Sequence, residues 1–124
     1  MAQIKTFEAA CKKLSLDPVT VLPDVSPLPA QHGKALLASA KLFIIVQAVN
    51  AGWIPDWQDS NQNKYYPWFD MEKDENNPSG FRLYYVYDNY AISTVGSRLC
   101  YKSRALAEQT VNQFIDLYRD LIVL

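Results

Sequence analysis

Residues 52–69 read GWIPDWQDSNQNKYYPWF, the stretch around which the rest of the chain is interpreted. It holds all three tryptophans of the 124 residues, and it separates a strongly apolar helical pattern from the first predicted strand. Aromatic side chains bury large areas, and tryptophan and tyrosine also keep a polar edge that needs a partner. Two interpretations follow: the flanks of the stretch pack on the preceding helix as part of the core, or they line a ligand pocket.

Two helices are predicted before this stretch. The first covers residues 3–14, where apolar residues recur at three- and four-residue spacing: Ile4, Phe7, Cys11 and Leu14. The second runs from about Pro29 to about Asn50, because proline is favoured in a first helical turn and Gly52 supplies the left-handed conformation that closes helices. Its body, KALLASAKLFIIVQAVN, is apolar on most sides, which is typical of a helix in the middle of a domain.

A proline-containing connector joins these two helices. Its four prolines suit neither a helix interior nor a central strand, so an ordered extended segment on the surface is predicted. Leu22, Val25 and Leu28 are expected to pack downward from it. The alternative is that the segment is a proline-rich ligand for a partner domain.

Three strands are predicted after the aromatic stretch, over residues 65–71, 81–88 and 97–102. Pro67 places the first at an edge or a bulge, and FRLYYVYD alternates between two faces. Residues 70–80, DMEKDENNPSG, lack the glycine and the final glutamate of a calcium loop, so a solvated hairpin loop is predicted.

The last predicted element is a helix that Ser103 caps and that runs to about Ile122. The element order is therefore α-α-β-β-β-α. We predict an α+β fold in which three helices accompany a small three-stranded antiparallel meander, within a single domain over residues 1–124.

Composition excludes several classes of protein. The formal net charge of −1 argues against a strongly basic nucleic-acid coat. Two cysteines, Cys11 and Cys100, are too few for a disulfide framework, which favours buried thiols in a reducing compartment, with a single bridge as the alternative. The N-terminus lacks the pattern of a signal peptide, and the longest apolar run is shorter than a membrane span. A soluble, cytoplasmic protein without a membrane segment is predicted.

No group of residues carries the pattern of a catalytic centre. His32, the lone histidine, is predicted to lie on the surface in the first turn of the second helix, away from any serine or cysteine partner. The cysteines and this histidine are scattered singly, unlike zinc ligands, and the glycines do not form a phosphate-binding loop. We therefore predict a protein that is not an enzyme and has no catalytic residues, metal site or cofactor.

The candidate site is a sheet face. If the three strands pair in order, alternation directs one set of side chains to the core: Phe81, Leu83, Tyr85, Tyr87, Leu99 and Tyr101. The other face then presents cations beside aromatic rings, and the predicted binding residues are Tyr66, Trp68, Arg82, Tyr84, Arg98, Lys102 and Arg104. Tyrosine and arginine are favoured at protein interfaces, which predicts protein–protein interaction or self-assembly. Cations among aromatic rings also suit a nucleotide or single-stranded nucleic acid, which is the alternative.

Four motifs stand out: ACKKLSLDP at residues 10–18, NAGW at 50–53, KYYPWF at 64–69 and GSRLCYKS at 96–103. With them the chain resembles, over nearly its whole length, a family of small uncharacterised proteins from phages and prophages of gut Bacteroidales. The resemblance implies a viral origin and a place in the host cell, and it brings no activity or cofactor. A host or phage protein, or a second copy of the chain, is therefore the expected partner, and sequestering a host component is the expected mode of action.

Overall fold

Four helices and two strands make up residues 3–124, which are the residues that the computed structural model of the protein describes. They are α1 Phe7–Lys13, α2 Ala30–Asn50, β1 Lys64–Asp70, β2 Arg82–Asn89, α3 Arg104–Gln113 and α4 Ile115–Ile122. The predicted α+β class is confirmed. The predicted numbers of three helices and three strands are wrong.

The chain divides into two units. Residues 3–52 and Asp116–Leu124 form the first, which holds α1, α2 and all but the first residue of α4. Trp53–Ile115 forms the second, which holds the two strands and α3. The single domain expected from the sequence stays a prediction.

In the first unit, α1 begins after Thr6, whose hydroxyl accepts a hydrogen bond from the Ala9 N–H at 3.0 Å. This side-chain cap satisfies one of the free N–H groups of the first turn and explains why the helix starts later than predicted. α1 packs against α2, and its buried residues are Phe7, Ala10 and Cys11.

The connector between α1 and α2 approaches α2 at Gly33. A Cβ on Gly33 would stand 3.2 Å from Val25 Cγ2, closer than ordinary van der Waals contact, so the absent side chain permits the approach. Leu22 and Val25 are half-buried, as expected of residues that pack downward. Leu28 is 42% exposed, so its predicted packing role is wrong.

α2 ends at two consecutive left-handed residues, Ala51 with φ 50° and Gly52 with φ 86°. Gly52 was the expected closing residue, and the turn begins one residue earlier. By its length and composition alone α2 is able to cross a membrane, although a buried core helix meets the same criteria. The absence of a membrane segment stays a prediction.

In the second unit, β1 and β2 form an antiparallel hairpin on which α3 packs. Pro67 and Val86 face each other across the strands and are both buried, which places them on the side that α3 covers. Ser103 caps α3 as predicted, because its hydroxyl accepts from the Leu106 N–H at 3.2 Å.

The predicted third strand over residues 97–102 is wrong, because in that segment only Tyr101 pairs with β1. Tyr101 and Tyr65 exchange two backbone hydrogen bonds of 3.0 and 2.7 Å. In the same antiparallel register Pro67 would face Leu99, and proline has no N–H to donate. On the C-terminal side of Tyr101 the chain leaves the hairpin and begins α3 at Arg104. A proline and a helix start therefore limit the contact to one residue pair.

The predicted final helix is divided in two at Phe114, which has φ −114° and ψ 31°. No glycine or proline marks this point, so the sequence contains no signal for the break. The break lies next to the boundary between the two units, which falls between Ile115 and Asp116.

A buried ammonium group holds the start of the hairpin. The Lys64 side chain is only 1% exposed. Its Nζ donates to three backbone oxygens, those of Asp56 at 2.6 Å, Asp59 at 3.1 Å and Tyr90. The Trp57 ring centroid lies 5.1 Å from the same nitrogen, within cation–π range. An ammonium has three donors, so three carbonyls satisfy it and offset the cost of removing its charge from water.

Replacing Lys64 with methionine keeps most of the side-chain volume and leaves the three carbonyls without their donor. We expect Lys64→Met to lower the free energy of unfolding of the second unit by about 2–4 kcal/mol. Urea unfolding followed by tryptophan fluorescence reports on this unit, because all three tryptophans lie in Trp53–Ile115. Lys73→Met, at an exposed lysine of the hairpin loop, is the control and should change stability by less than about 0.5 kcal/mol. Equal midpoints for the two variants would contradict the structural role of Lys64.

Both cysteines are buried thiols. Burial raises the pKa of Cys100 to about 11, and burial together with the Glu8 and Asp17 carboxylates raises the pKa of Cys11. The thiolate is the reactive form of cysteine, so both thiols are expected to be inert in the native protein at neutral pH.

We expect iodoacetamide to alkylate Cys11 and Cys100 slowly in native protein and at the ordinary rate in urea, as followed by mass spectrometry. A cysteine introduced as Val19→Cys, at a site that is 79% exposed, is the matched control and should react quickly without urea. Native alkylation of either natural cysteine as fast as the control would contradict its burial.

Candidate functional site

A β-bulge in β2 determines which side chains share a face of the hairpin. Trp68 pairs with Tyr85, whereas the next residue of β1, Phe69, pairs with Leu83. Tyr84 is therefore an extra residue without a partner in β1. A bulge adds one residue to one strand, so the alternation of side chains changes phase there.

This change of phase corrects the predicted faces. Phe81, before the bulge, is buried as expected. After the bulge, Val86 is buried, while Tyr85 and Tyr87 are 46% and 39% exposed. The prediction that Tyr85 and Tyr87 face the core is therefore wrong, and so is the prediction that Val86 lies on the outer face.

The exposed side of the hairpin carries four aromatic residues, which we call the aromatic face: Tyr66, Trp68, Tyr85 and Tyr87. Residues directly opposite in an antiparallel pair lie on the same side of the sheet, and Tyr66 pairs with Tyr87 as Trp68 does with Tyr85. Trp68 is 55% exposed and Tyr66 is half-buried.

The rings of the aromatic face stand at steep angles to one another. The Trp68 and Tyr87 centroids are 5.5 Å apart with an interplanar angle of 61°. The Tyr85 and Tyr87 centroids are 4.8 Å apart with an angle of 80°. Such edge-to-face pairs add about 0.5–1.5 kcal/mol beyond the area that they bury, so the rings support one another's orientation while their outer surfaces stay in solvent.

Arg104 borders the aromatic face and links it to α3. Its guanidinium lies 4.8 Å from the Tyr85 ring centroid and 5.5 Å from that of Tyr65. It also donates to the Val86 carbonyl and forms an ion pair of 3.5 Å with Asp88. The sequence prediction of Arg104 as a residue at the rim agrees with this position, and the structure adds that its charge already has a carboxylate partner.

Arg82 lies on the predicted outer side of the hairpin, at its loop end beyond Trp68, and its guanidinium is already engaged. Its Nε and Nη2 donate to Asp70 Oδ2 at 3.2 and 3.1 Å, and its Nη1 donates to the Asn76 carbonyl at 2.8 Å. Asp70 and Arg82 are also the last cross-strand pair of the hairpin. Arg82 therefore closes the hairpin at the loop, and the predicted solvated hairpin loop over residues 70–80 is confirmed.

The remaining predicted binding residues are distributed differently. Tyr84 is 64% exposed at the bulge, next to the aromatic face. Arg98 and Lys102 are exposed as well. They were placed beside Tyr84 by the assumption of a third strand, and without that strand no cross-strand register brings them to the aromatic face. The predicted set is therefore brought together only in part: Tyr66, Trp68, Tyr84 and Arg104 lie at the aromatic face, and Arg82 lies on the same side at the loop end.

Sequence reasoning missed two residues of the face and the residue that anchors it. Tyr85 and Tyr87 were assigned to the core, and the only available signal was the run of tyrosines, which is too long for one buried face. Lys64 was not singled out, because a single lysine before a strand resembles any solvent-exposed lysine. Its burial follows from the folding of the preceding loop.

The acid–base groups of the described chain do not gather at one point. Within residues 3–124 no three histidine, cysteine, aspartate or glutamate side chains lie close enough to hold a metal ion. His32 is exposed near the start of α2, as predicted. The aromatic face itself offers ring surfaces, an indole N–H and tyrosine hydroxyls for contact and hydrogen bonding.

The hairpin closure should depend on pH through Asp70. A hydrogen bond from the Glu72 N–H at 3.0 Å, and then Arg82, lower the pKa of this carboxyl. Because the folded pKa is the lower one, the ionised carboxylate stabilises the native state above the usual pKa of about 4, and this stabilisation disappears as the pH falls through the folded pKa.

We expect the urea midpoint of the wild type to fall more steeply than that of Asp70→Asn between about pH 5 and about pH 2. Glu75→Gln, at an exposed carboxyl in the same loop, serves as the control and should retain the slope of the wild type. Identical slopes for wild type and Asp70→Asn would show that the pair with Arg82 does not stabilise the hairpin.

Comparison with known proteins yields no relative: no protein-family model, no curated protein and no solved structure matches the chain. The resemblance to phage proteins, based on the motifs quoted above, therefore stays a prediction. The aromatic face itself is the basis for a functional assignment.

Proposed function

We propose that this protein acts without catalysis, by binding another protein through the aromatic face. The observation that carries the proposal is the exposure of Trp68, Tyr85 and Tyr87 side by side, at 55%, 46% and 39%. Exposed apolar patches are characteristic of interaction sites, and tryptophan and tyrosine are the residues that most often dominate binding energy at interfaces. Tyr84, 64% exposed, extends the same surface at the bulge.

The charges around the face favour a protein partner over a nucleic acid. Nucleic-acid binding depends on cations that are free to neutralise phosphates. Arg82 is held by Asp70, and Arg104 is held by Asp88, so both of these arginines bring a carboxylate with them. The surface is then close to neutral, as expected of an interface formed mainly by aromatic contact.

Docking on the face is favoured over pairing at the strand edge. The Val86 carbonyl already accepts a hydrogen bond from Arg104, so a strand added beside β2 would have to displace that contact. On the side of β1, Tyr101 occupies the backbone groups of Tyr65. A partner that lies across the rings meets no such obstacle.

The partner that we propose is a host or phage protein, or a second copy of this chain. The resemblance to phage and prophage proteins supports a host protein in the cytoplasm, which the binding would occupy or sequester. A near-neutral face without like charges is also compatible with self-association, since two copies would not repel each other there.

We expect Trp68→Glu and Tyr84→Glu each to abolish binding, because a carboxylate on the face must lose its hydration when the partner docks. Val19→Glu, at an apolar residue that is 79% exposed in the first unit, is the control. Two measurements apply: light scattering of the purified proteins, and quantitative mass spectrometry of proteins captured from a Bacteroidales lysate. If the proposal is correct, the wild type and Val19→Glu form an oligomer or capture a partner protein, and neither Trp68→Glu nor Tyr84→Glu does so.

A captured set and a solution mass that neither face variant changes would contradict the proposal. The nucleic-acid alternative gives a different result, namely a bound nucleic acid whose affinity falls steeply with salt and is weakened by Arg98→Ala. That outcome would replace the aromatic face by the exposed cations as the binding surface.

A further inference from the structure

The aromatic face presents hydrogen-bond donors that have no acceptor among the described residues. Among residues 3–124, neither the Trp68 indole N–H nor the hydroxyls of Tyr66, Tyr85 and Tyr87 have a hydrogen-bond partner. An indole N–H only donates, whereas a tyrosine hydroxyl both donates and accepts. The four residues of the face include no carboxylate or amide; Asp70 and Asn89 lie on the same side of the sheet at its two ends, and Asp70 is bound to Arg82. The ligand that suits the four rings is therefore rich in acceptors.

The ring geometry adds a shape requirement. Tyr87 stands at a steep angle to both Trp68 and Tyr85, so flat ring surfaces meet at corners above the sheet. The faces of aromatic rings carry partial negative charge, which attracts C–H groups polarised by a neighbouring amide nitrogen. A rigid, flat apolar group with such C–H bonds fits these corners better than a flexible aliphatic chain.

Resting on the proposed function, we propose that the aromatic face binds a proline-rich segment of the partner in the polyproline II conformation. Proline has no backbone N–H, so such a segment offers carbonyl acceptors and few donors. Its carbonyls form no internal hydrogen bonds and remain available to the Trp68 indole and the tyrosine hydroxyls. Its pyrrolidine rings supply the rigid apolar groups. Aromatic-lined surfaces recognise this conformation because it loses little entropy on binding.

The protein holds the face ready for such a ligand. Arg104 covers one side of the Tyr85 ring and is itself fixed by the Val86 carbonyl and Asp88. Lys64, at the first position of β1, ties the preceding loop to the residue that follows β2. Because both cations are engaged within the protein, binding of a neutral proline-rich segment should vary little with salt.

The test follows the indole N–H signals of the three tryptophans by NMR in ¹⁵N-labelled protein, assigned with single tryptophan-to-phenylalanine variants. The probe is an acetylated, amidated oligoproline of about ten residues, which spans about 30 Å as a polyproline II helix. We expect the Trp68 signal to shift and saturate at or below about 1 mM peptide, while the Trp53 and Trp57 signals stay in place. A glycine–serine peptide of the same length, which keeps its backbone donors and lacks the rings, should leave all three unchanged.

Tyr87→Ala should weaken oligoproline binding by at least about tenfold, because Tyr87 belongs to both ring pairs. Tyr87→Phe keeps the ring and removes only the hydroxyl, so it should lose less than the alanine variant. The urea midpoint of each variant verifies that the second unit remains folded, and Tyr85→Ala, which retains the Trp68 signal, provides a second change at the face if Tyr87→Ala unfolds.

Three results would overturn the inference: no shift of the Trp68 signal at millimolar oligoproline, an equal shift with the glycine–serine peptide, or equal movement of all three indole signals. A Trp68 signal that shifts with protein concentration in the absence of peptide would assign the face to a second copy instead. If oligoproline fails while a partner or oligomer is still lost in Trp68→Glu, the inference fails and the proposed function stands. If both experiments fail, the face is not a binding surface.

Discussion

The contact between the Lys64 ammonium and three backbone carbonyls is the interaction on which the second unit depends. The carbonyls come from the loop before β1 and from Tyr90, just after β2, so one charged group ties together segments that are far apart in sequence. A buried cation is tolerated only when its donors are satisfied, so the loop conformation that presents the Asp56 and Asp59 carbonyls stabilises the hairpin. The position of Trp57 beside the ammonium follows from the same constraint.

Much of the fold was predictable because its causes are local. The Ser103 cap, the left-handed Gly52 after α2 and the alternation at the start of β2 are each determined by a few adjacent residues. The third strand was not predictable from its own pattern, since Pro67 in another segment prevents the pairing. The division of the last helix at Phe114 has no sequence signal at all.

Only part of the candidate site was predicted from the sequence, and the error again came from how the strands pair. Tyr66 and Trp68 were assigned correctly to the outer side, because β1 alternates without interruption, and Tyr84 is exposed at the bulge itself. After the bulge at Tyr84 the alternation of side chains in β2 is reversed. Tyr85 and Tyr87 are therefore exposed, and Val86 is buried. A bulge is invisible in a strand that is aromatic or apolar on both faces, because either phase of alternation satisfies the pattern equally well.

Pro67 has a consequence beyond the missing strand. A short hairpin with exposed aromatic residues and unpaired backbone groups is a template on which further chains can add as strands, the first step toward aggregation. A proline in β1 removes one donor from that edge, and Arg104 occupies a carbonyl of β2. The second unit thus exposes an aromatic surface above strand edges that offer fewer free backbone groups for strand addition. This combination opposes aggregation while the rings remain exposed.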